Sequence, residues 1–70
     1  MGGAVENRVK ELRAAAGMRQ EDLARRVSVS RQTIISIEGG RYNPSLELAW
    51  RLSRVLEVRI EDLFSFKEDD

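Results

Sequence analysis

Only three residues, Ser28-Val29-Ser30, separate two helical patterns in the stretch QEDLARRVSVSRQTIISIEGG, Gln20 to Gly40. Nothing else in the chain restricts the fold as much. Leu23, Ala24 and Val27 mark the inward face of the first pattern, and Ile34 and Ile37 that of the second. A connection this short forces the two helices to cross at a steep angle. Ala24 lies near the crossing, where a small side chain permits close approach. Val29, in the turn, plugs the corner.

This is the pattern of a helix-turn-helix. With Ile34 and Ile37 turned inward, Arg31, Gln32, Ile35 and Ser36 face outward. Residues 31/35 and 32/36 are four-residue pairs on one side of the helix. An exposed isoleucine beside an arginine and a glutamine is an unusual surface for a small domain.

The rest of the chain reads as short helices punctuated by single glycines and a proline. A first helix runs over about Asn7–Ala16, with Val9, Leu12 and Ala16 inward, and Gly17 ends it in a left-handed conformation. The second runs over about Gln20–Val27, with Glu21 and Asp22 in its first turn, where they favour the helix dipole. The third has Ser30 as N-cap and ends near Glu38, before Gly39-Gly40. After the loop GGRYNPS, Pro44 and Ser45 open a fourth helix that runs to about Leu56. Its inward stripe is Leu48, Ala49, Leu52, Val55 and Leu56. A short fifth helix spans about Ile60–Phe64. The tail FSFKEDD alternates apolar and polar residues. It reads as a short strand pairing near Ala4–Glu6, with a frayed end as the alternative.

The expectation is therefore an all-α, compact five-helix domain, with an added terminal strand pair if the tail is a strand. Residues 1–6 form an arm or short strand, residues 7–64 the helical domain, and residues 65–70 an acidic tail or short strand.

Composition removes several function classes. The 70 residues make one domain. There is no His and no Cys, which excludes a disulfide framework, the usual zinc sites and the common nucleophile–base pairs. No carboxylate pair is placed by a motif, so an enzyme is not expected, nor a metal or other cofactor. No apolar run approaches the roughly 20 residues of a membrane span. No signal peptide is visible, and the myristoylation pattern fails at Glu6. The expected location is the cytoplasm. Twelve basic and twelve acidic residues cancel, but unevenly. Residues 19–54 carry seven Arg against four acids, and residues 55–70 carry two bases against six acids. Such a polarised chain can orient itself on a polyanion, although an ordinary solvated surface explains the same counts.

The stretch RQEDLARRVSVSRQTIISIEGGRYNPSLELAWRLSRVLEVRIEDLF resembles the lambda-repressor-like, Cro/repressor-type helix-turn-helix proteins, the Xre family. The likeness is greatest to its small stand-alone regulators containing VSRQTI, YNPSLELA and IEDLF, and it covers about residues 7–66. It implies a protein that binds double-stranded operator DNA as a homodimer and regulates transcription as a repressor. The chain departs from the family in four places. Ser28 stands where Gly is usual, so a left-handed serine is expected at some energetic cost. Gly39 stands where Asn is usual, which removes a potential phosphate contact. Arg19 and Arg59 replace the usual helix caps, at about 0.5–2 kcal/mol each.

On the outward face of the third helix, Arg can bond guanine bidentately, Gln can do the same to adenine, and an apolar side chain can touch a thymine methyl. Arg31, Gln32, Ile35 and Ser36 are thus the candidate base-reading set. The family uses the residue at Gln20 to hold a phosphate and brace the reading helix. Arg41, Tyr42 and Asn43, with Thr33, are further phosphate candidates, and Asn43 has the alternative of capping the fourth helix. The resemblance also implies a largely buried ion pair, Arg13 with Glu38, that is structural. Leu46 and Trp50 form a second apolar strip on the fourth helix, and Ile60, Phe64 and Phe66 add apolar residues. These five are the candidate dimer interface, consistent with family dimerisation through the region of helices four and five. Packing of Trp50 against the fifth helix or the tail is the alternative. Two other functions stay open: an antitoxin that binds a toxin protein and autoregulates its operon, and a protein-binding module that has lost DNA binding.

Overall fold

The computed structural model describes residues 5–66, in the order β1 (Val5–Asn7), α1 (Val9–Ala15), α2 (Gln20–Arg26), α3 (Arg31–Glu38), α4 (Leu46–Leu56), α5 (Ile60–Leu63) and β2 (Phe64–Phe66). Met1–Ala4 and Lys67–Asp70, including most of the expected acidic tail, lie outside the described residues.

The first four helices end in one way. A left-handed residue follows each: Gly17 (φ 74°), Ser28 (φ 63°), Gly40 (φ 76°) and Glu57 (φ 61°). Around each, two backbone bonds close the helix end. The outer bonds are Met18 N–H to Arg13 O, Val29 N–H to Ala24 O, Arg41 N–H to Ser36 O and Val58 N–H to Ser53 O, at 2.9–3.1 Å. The inner bonds run from the left-handed residue itself to Ala14, Arg25, Ile37 and Arg54 carbonyls. This is the Schellman arrangement, which satisfies carbonyls that a helix end otherwise leaves unpaired. Glycine takes that conformation without a Cβ penalty, whereas Ser28 and Glu57 do not. The strained serine expected in the turn is present.

The residue after each left-handed position ordinarily packs an apolar side chain back on the helix. Met18, Val29 and Val58 do so, partly buried against the core. Arg41, after α3, is exposed instead.

Helix starts follow simpler chemistry. Ser30 and Ser45 accept from Thr33 N–H and Leu48 N–H, each at 3.2 Å. Ser45 is thus the cap of α4, and Pro44 precedes the helix rather than opening it. Neither Arg19 nor Arg59 offers an acceptor. At α2 Asp22 makes the reciprocal bond, accepting from Arg19 N–H at 2.9 Å.

The core is one cluster drawn from every helix. Val9, Leu23, Ile34, Ile37 and Leu52 are fully buried, with Val27 and Leu63 nearly so. Ala24, expected near the α2–α3 crossing, is buried at 3% exposure. Two inward assignments differ. Ala16 is exposed because α1 stops at Ala15 and Ala16 belongs to the helix end. Ser53 is buried on α4, and its hydroxyl donates to Trp50 O at 2.6 Å, which satisfies it within the helix.

The two strands are antiparallel, with Val5 opposite Phe66, Glu6 opposite Ser65 and Asn7 opposite Phe64. The strand reading of the tail is observed over Phe64–Phe66, pairing one residue later on the N-terminal side than expected, and the rest of the tail lies outside the described residues. Phe64 is extended (φ −121°, ψ 139°) rather than the last residue of α5. Arg8 N–H donates to Leu63 O at 2.9 Å and continues the clamp between the two chain ends.

Candidate nucleic-acid interface

The α3 face has its own support. Arg13 of α1 reaches Glu38 at the last turn of α3 through Nε to Oε2 at 2.6 Å and Nη2 to Oε1 at 3.3 Å. Arg13 Nη1 donates to Met18 O at 2.8 Å, and Gln20 Nε2 donates to Glu38 Oε1 at 3.1 Å. Both charges are removed from most of the solvent, at 12% and 5% side-chain exposure. A buried pair is tolerable only when its remaining donors and acceptors are satisfied, and here they are. Among the described residues no buried side-chain polar atom lacks a partner. Gln20 is therefore a brace between α2 and α3, with its amide nitrogen on Glu38.

With α3 held in this way, Arg31 and Gln32 are exposed and Ile35 and Ser36 half-buried on its outer side. Gln32 and Ser36 share a hollow of about 230 Å³ with Ser30, Thr33 and Tyr42. The hollow thus joins two of the base-reading candidates to two of the phosphate candidates. Ser30 was not among the candidates, because its capping role accounts for it in sequence. Its hydroxyl lies 3.0 Å from that of Thr33. Arg31 and Ile35 form the neighbouring strip. Neither Arg31 nor Arg41 has a carboxylate partner among the described residues. Apart from Arg13 with Glu38, the arginine pairs are exposed and join neighbours in sequence. Arg8, for example, holds the Glu11 carboxyl below its ordinary range, by hydrogen bond first and charge second. A cationic and amide-bearing helix face without internal partners can engage phosphates and base edges.

Asn43 is set apart from this group. It is exposed, does not cap α4, and lines a second hollow of about 400 Å³ with Val5, Pro44, Leu46, Ala49, Ile60 and Phe64. This second hollow brings together three of the five proposed interface residues. Phe64 is only 8% exposed and part of the core, so it lines the hollow from the buried side rather than as a projecting contact. Leu46 is 78% exposed. Trp50 is 53% exposed and carries Arg54 over its ring at 5.5 Å from the centroid. Phe66 pairs with Val5 through the backbone, and its side chain lies outside the described set.

Residues 9–63 match the helix-turn-helix family HTH_3. The chain belongs to this Xre, lambda-repressor-like family. The HTH protein is 50% identical over 66 residues to an uncharacterized HTH-type transcriptional regulator of Archaeoglobus fulgidus, covering 94% of each chain. It is 44% identical over 66 residues to another from Bacillus subtilis, covering 94% of this chain and 100% of the relative. Among solved structures it resembles the restriction-modification controller protein C.AhdI from Aeromonas hydrophila, with a TM-score of 0.73 and 33% identity, over 79% of this chain and 83% of that one. The family is one of DNA-binding transcription regulators, not an enzyme class. Among the described residues no helix of the HTH protein is long and apolar enough to cross a membrane, and no group of three acidic, His or Cys residues is placed to hold a metal.

Proposed function

We propose that this HTH protein binds operator DNA in the cytoplasm as a homodimer and represses transcription by occupying it. The observation that carries this reading is the outward face of α3, where Arg31 and Gln32 are exposed beside Ile35 and Ser36 on a helix braced by Arg13, Gln20 and Glu38. In the proposed complex α3 lies in the major groove. Arg31, Gln32, Ile35 and Ser36 read base edges, and Thr33, Arg41 and Tyr42 hold phosphates. Gln20 keeps its second amide hydrogen for the backbone. Asn43, on the rim of the apolar hollow, is the weakest member of the phosphate set.

Dimerisation is assigned to the face of Leu46, Trp50, Ile60, Phe64 and Phe66. Two large apolar side chains of α4, Leu46 and Trp50, are exposed, and Leu46 lines the apolar hollow. A twofold contact there uses one self-complementary surface. Two copies of α3 would then meet inverted half-sites about 34 Å apart, one turn of the duplex. The relationship to C.AhdI, a controller protein, favours a regulatory outcome for binding. The comparisons lend no support to the antitoxin alternative.

The test is selection of bound duplexes from a random pool, followed by sedimentation of the complex. An inverted repeat bound by two copies is expected. Enrichment of no sequence, or one copy per site at tens of micromolar protein, rejects the reading.

A further inference from the structure

Asn7 is the last residue of β1, 30 positions from the residue its side chain holds. Its Oδ1 accepts from the N–H of Val9, the first residue of α1, at 3.0 Å. Its Nδ2 donates to Ile37 O, in the last turn of α3, also at 3.0 Å. The two partners determine the orientation of the amide: an N–H requires the oxygen on one side, and a carbonyl requires the nitrogen on the other. Holding the Val9 N–H needs only an acceptor, which Ser, Thr or Asp supplies as well as Asn. The donor half is what makes an amide necessary here.

The carbonyl that Asn7 holds has a second tenant. Ile37 O also accepts from Gly40 N–H at 3.0 Å, the inner bond of the turn that ends α3. A carbonyl oxygen has two lone pairs and can take both. The same turn places Gly40 at φ 76° and is completed by Arg41 N–H to Ser36 O. At the other helix ends an apolar side chain packs on the core and helps hold the turn, but Arg41 is exposed and gives no such anchor. Asn7 supplies, from outside, a restraint on the turn that lacks an apolar plug.

We propose that Asn7 is a positioning residue for DNA binding, fixing the C-terminal turn of the recognition helix so that Arg41 is held towards the phosphate backbone. This rests on the DNA-binding reading above. It adds that the terminal strand pair is part of the DNA-binding apparatus, because β1, held by β2, carries the amide that orders the turn.

The experiment has two arms. In the free protein, Asn7→Asp keeps the acceptor for Val9 and replaces the donor with a carboxylate oxygen. Amide exchange at Gly40 and Arg41 should accelerate, while exchange at Leu12 and Arg13 in α1 should not. Unchanged protection at Gly40 and Arg41 overturns the proposal without reference to DNA. On duplex DNA, Asn7→Asp and Asn7→Ala should each weaken binding about three- to tenfold, the worth of one hydrogen bond. Each should also make the salt slope shallower by about one unit, as the loss of one phosphate contact does. The Asp variant adds a charge of its own, so a double-mutant cycle decides. Asn7→Ala combined with Arg41→Ala should bind no more weakly than Arg41→Ala alone, and Asn7→Asp should lose less in the Arg41→Ala background than in the unaltered protein. Additive losses for both Asn7 variants overturn the proposal. Failure of the unaltered protein to bind any duplex, with the exchange effect intact, would instead remove the DNA-binding reading on which it depends.

Discussion

Arg13 and Glu38 meet across the α1–α3 seam, Nε to Oε2 at 2.6 Å, and Gln20 of α2 donates to the carboxylate's other oxygen, Oε1, which it shares with Arg13 Nη2. Three helices are thereby joined at the base of the recognition helix. The pair is buried at both ends, unlike Glu47 and Arg51 on α4, which also lie 2.6 Å apart but are exposed. Equal distances therefore hide unequal energies. Exposed pairs are worth about 0–1 kcal/mol, whereas removing one partner of a buried pair costs about 3–5 kcal/mol.

Glu38→Ala is accordingly expected to lower the unfolding free energy by about 3–5 kcal/mol, since it strands Arg13 in the interior. Glu47→Ala should change it by less than about 1 kcal/mol. Urea denaturation of the two variants measures the difference. Equal midpoints would show that the seam does not depend on the pair.

Reading and holding can be separated on the α3 face. Arg31→Ala should lose about 1–3 kcal/mol on the operator and much less on scrambled duplex, so its specificity ratio should fall. Arg41→Ala should weaken both duplexes alike and make the salt slope shallower by about one unit. Titrations of each folded variant across a salt series give both quantities. If Arg31→Ala weakens both duplexes equally, Arg31 is a backbone contact, and base reading falls to Gln32, Ile35 and Ser36.

The left-handed turns predict a gain rather than a loss. Ser28→Gly should stabilise the protein by about 1 kcal/mol, because it relieves the Cβ crowding at φ 63°. A gain of that size raises the melting temperature of a domain this small by about 4–8 °C. Glu57→Gly, at φ 61°, should act in the same direction. Thermal unfolding followed by circular dichroism is the measurement. A fall in melting temperature for both variants would mean that the extra freedom glycine brings to the unfolded chain outweighs the relief of strain.

The apolar face of α4 predicts a change in assembly without a change in the fold. Trp50→Ala removes an exposed ring, so monomer stability should be nearly unaltered. The dimer should weaken by about 2 kcal/mol or more, the scale of an interface hot spot. Leu46→Glu should do the same by placing a charge in the contact. Sedimentation equilibrium over a concentration series reads the dissociation constant. Unchanged self-association in both variants would remove this face as the interface.

Much of the architecture is local in origin and could be read along the chain. Helical spacing of Leu23, Ala24 and Val27, then of Ile34 and Ile37, requires two short helices, and the three residues between them require the crossing. Ser30 and Ser45 cap because a hydroxyl beside a helix start reaches an N–H three residues on. Arg31, Gln32, Ile35 and Ser36 were legible as an outward set for the same reason: once the inward pair is known, helical periodicity assigns the other face.

What tertiary structure alone decided depends on contacts far apart in sequence. Periodicity could not show that Phe64 is a core residue lining a hollow, because a residue at the joint of a helix and a strand belongs to neither repeat. Nor could it show that Gln20 bonds Glu38, or that Asn43 sits on the apolar hollow while Tyr42 lines the polar one. Asn7 is the clearest case. In sequence it reads as the first residue of the first helix, with nothing to mark it as a strand end. Only the pairing of β1 with β2 carries its amide to the end of α3, where a donor becomes useful. A side chain's local capacity is written in its chemistry, but which of its atoms finds a partner is settled by the long-range packing that brings the elements together.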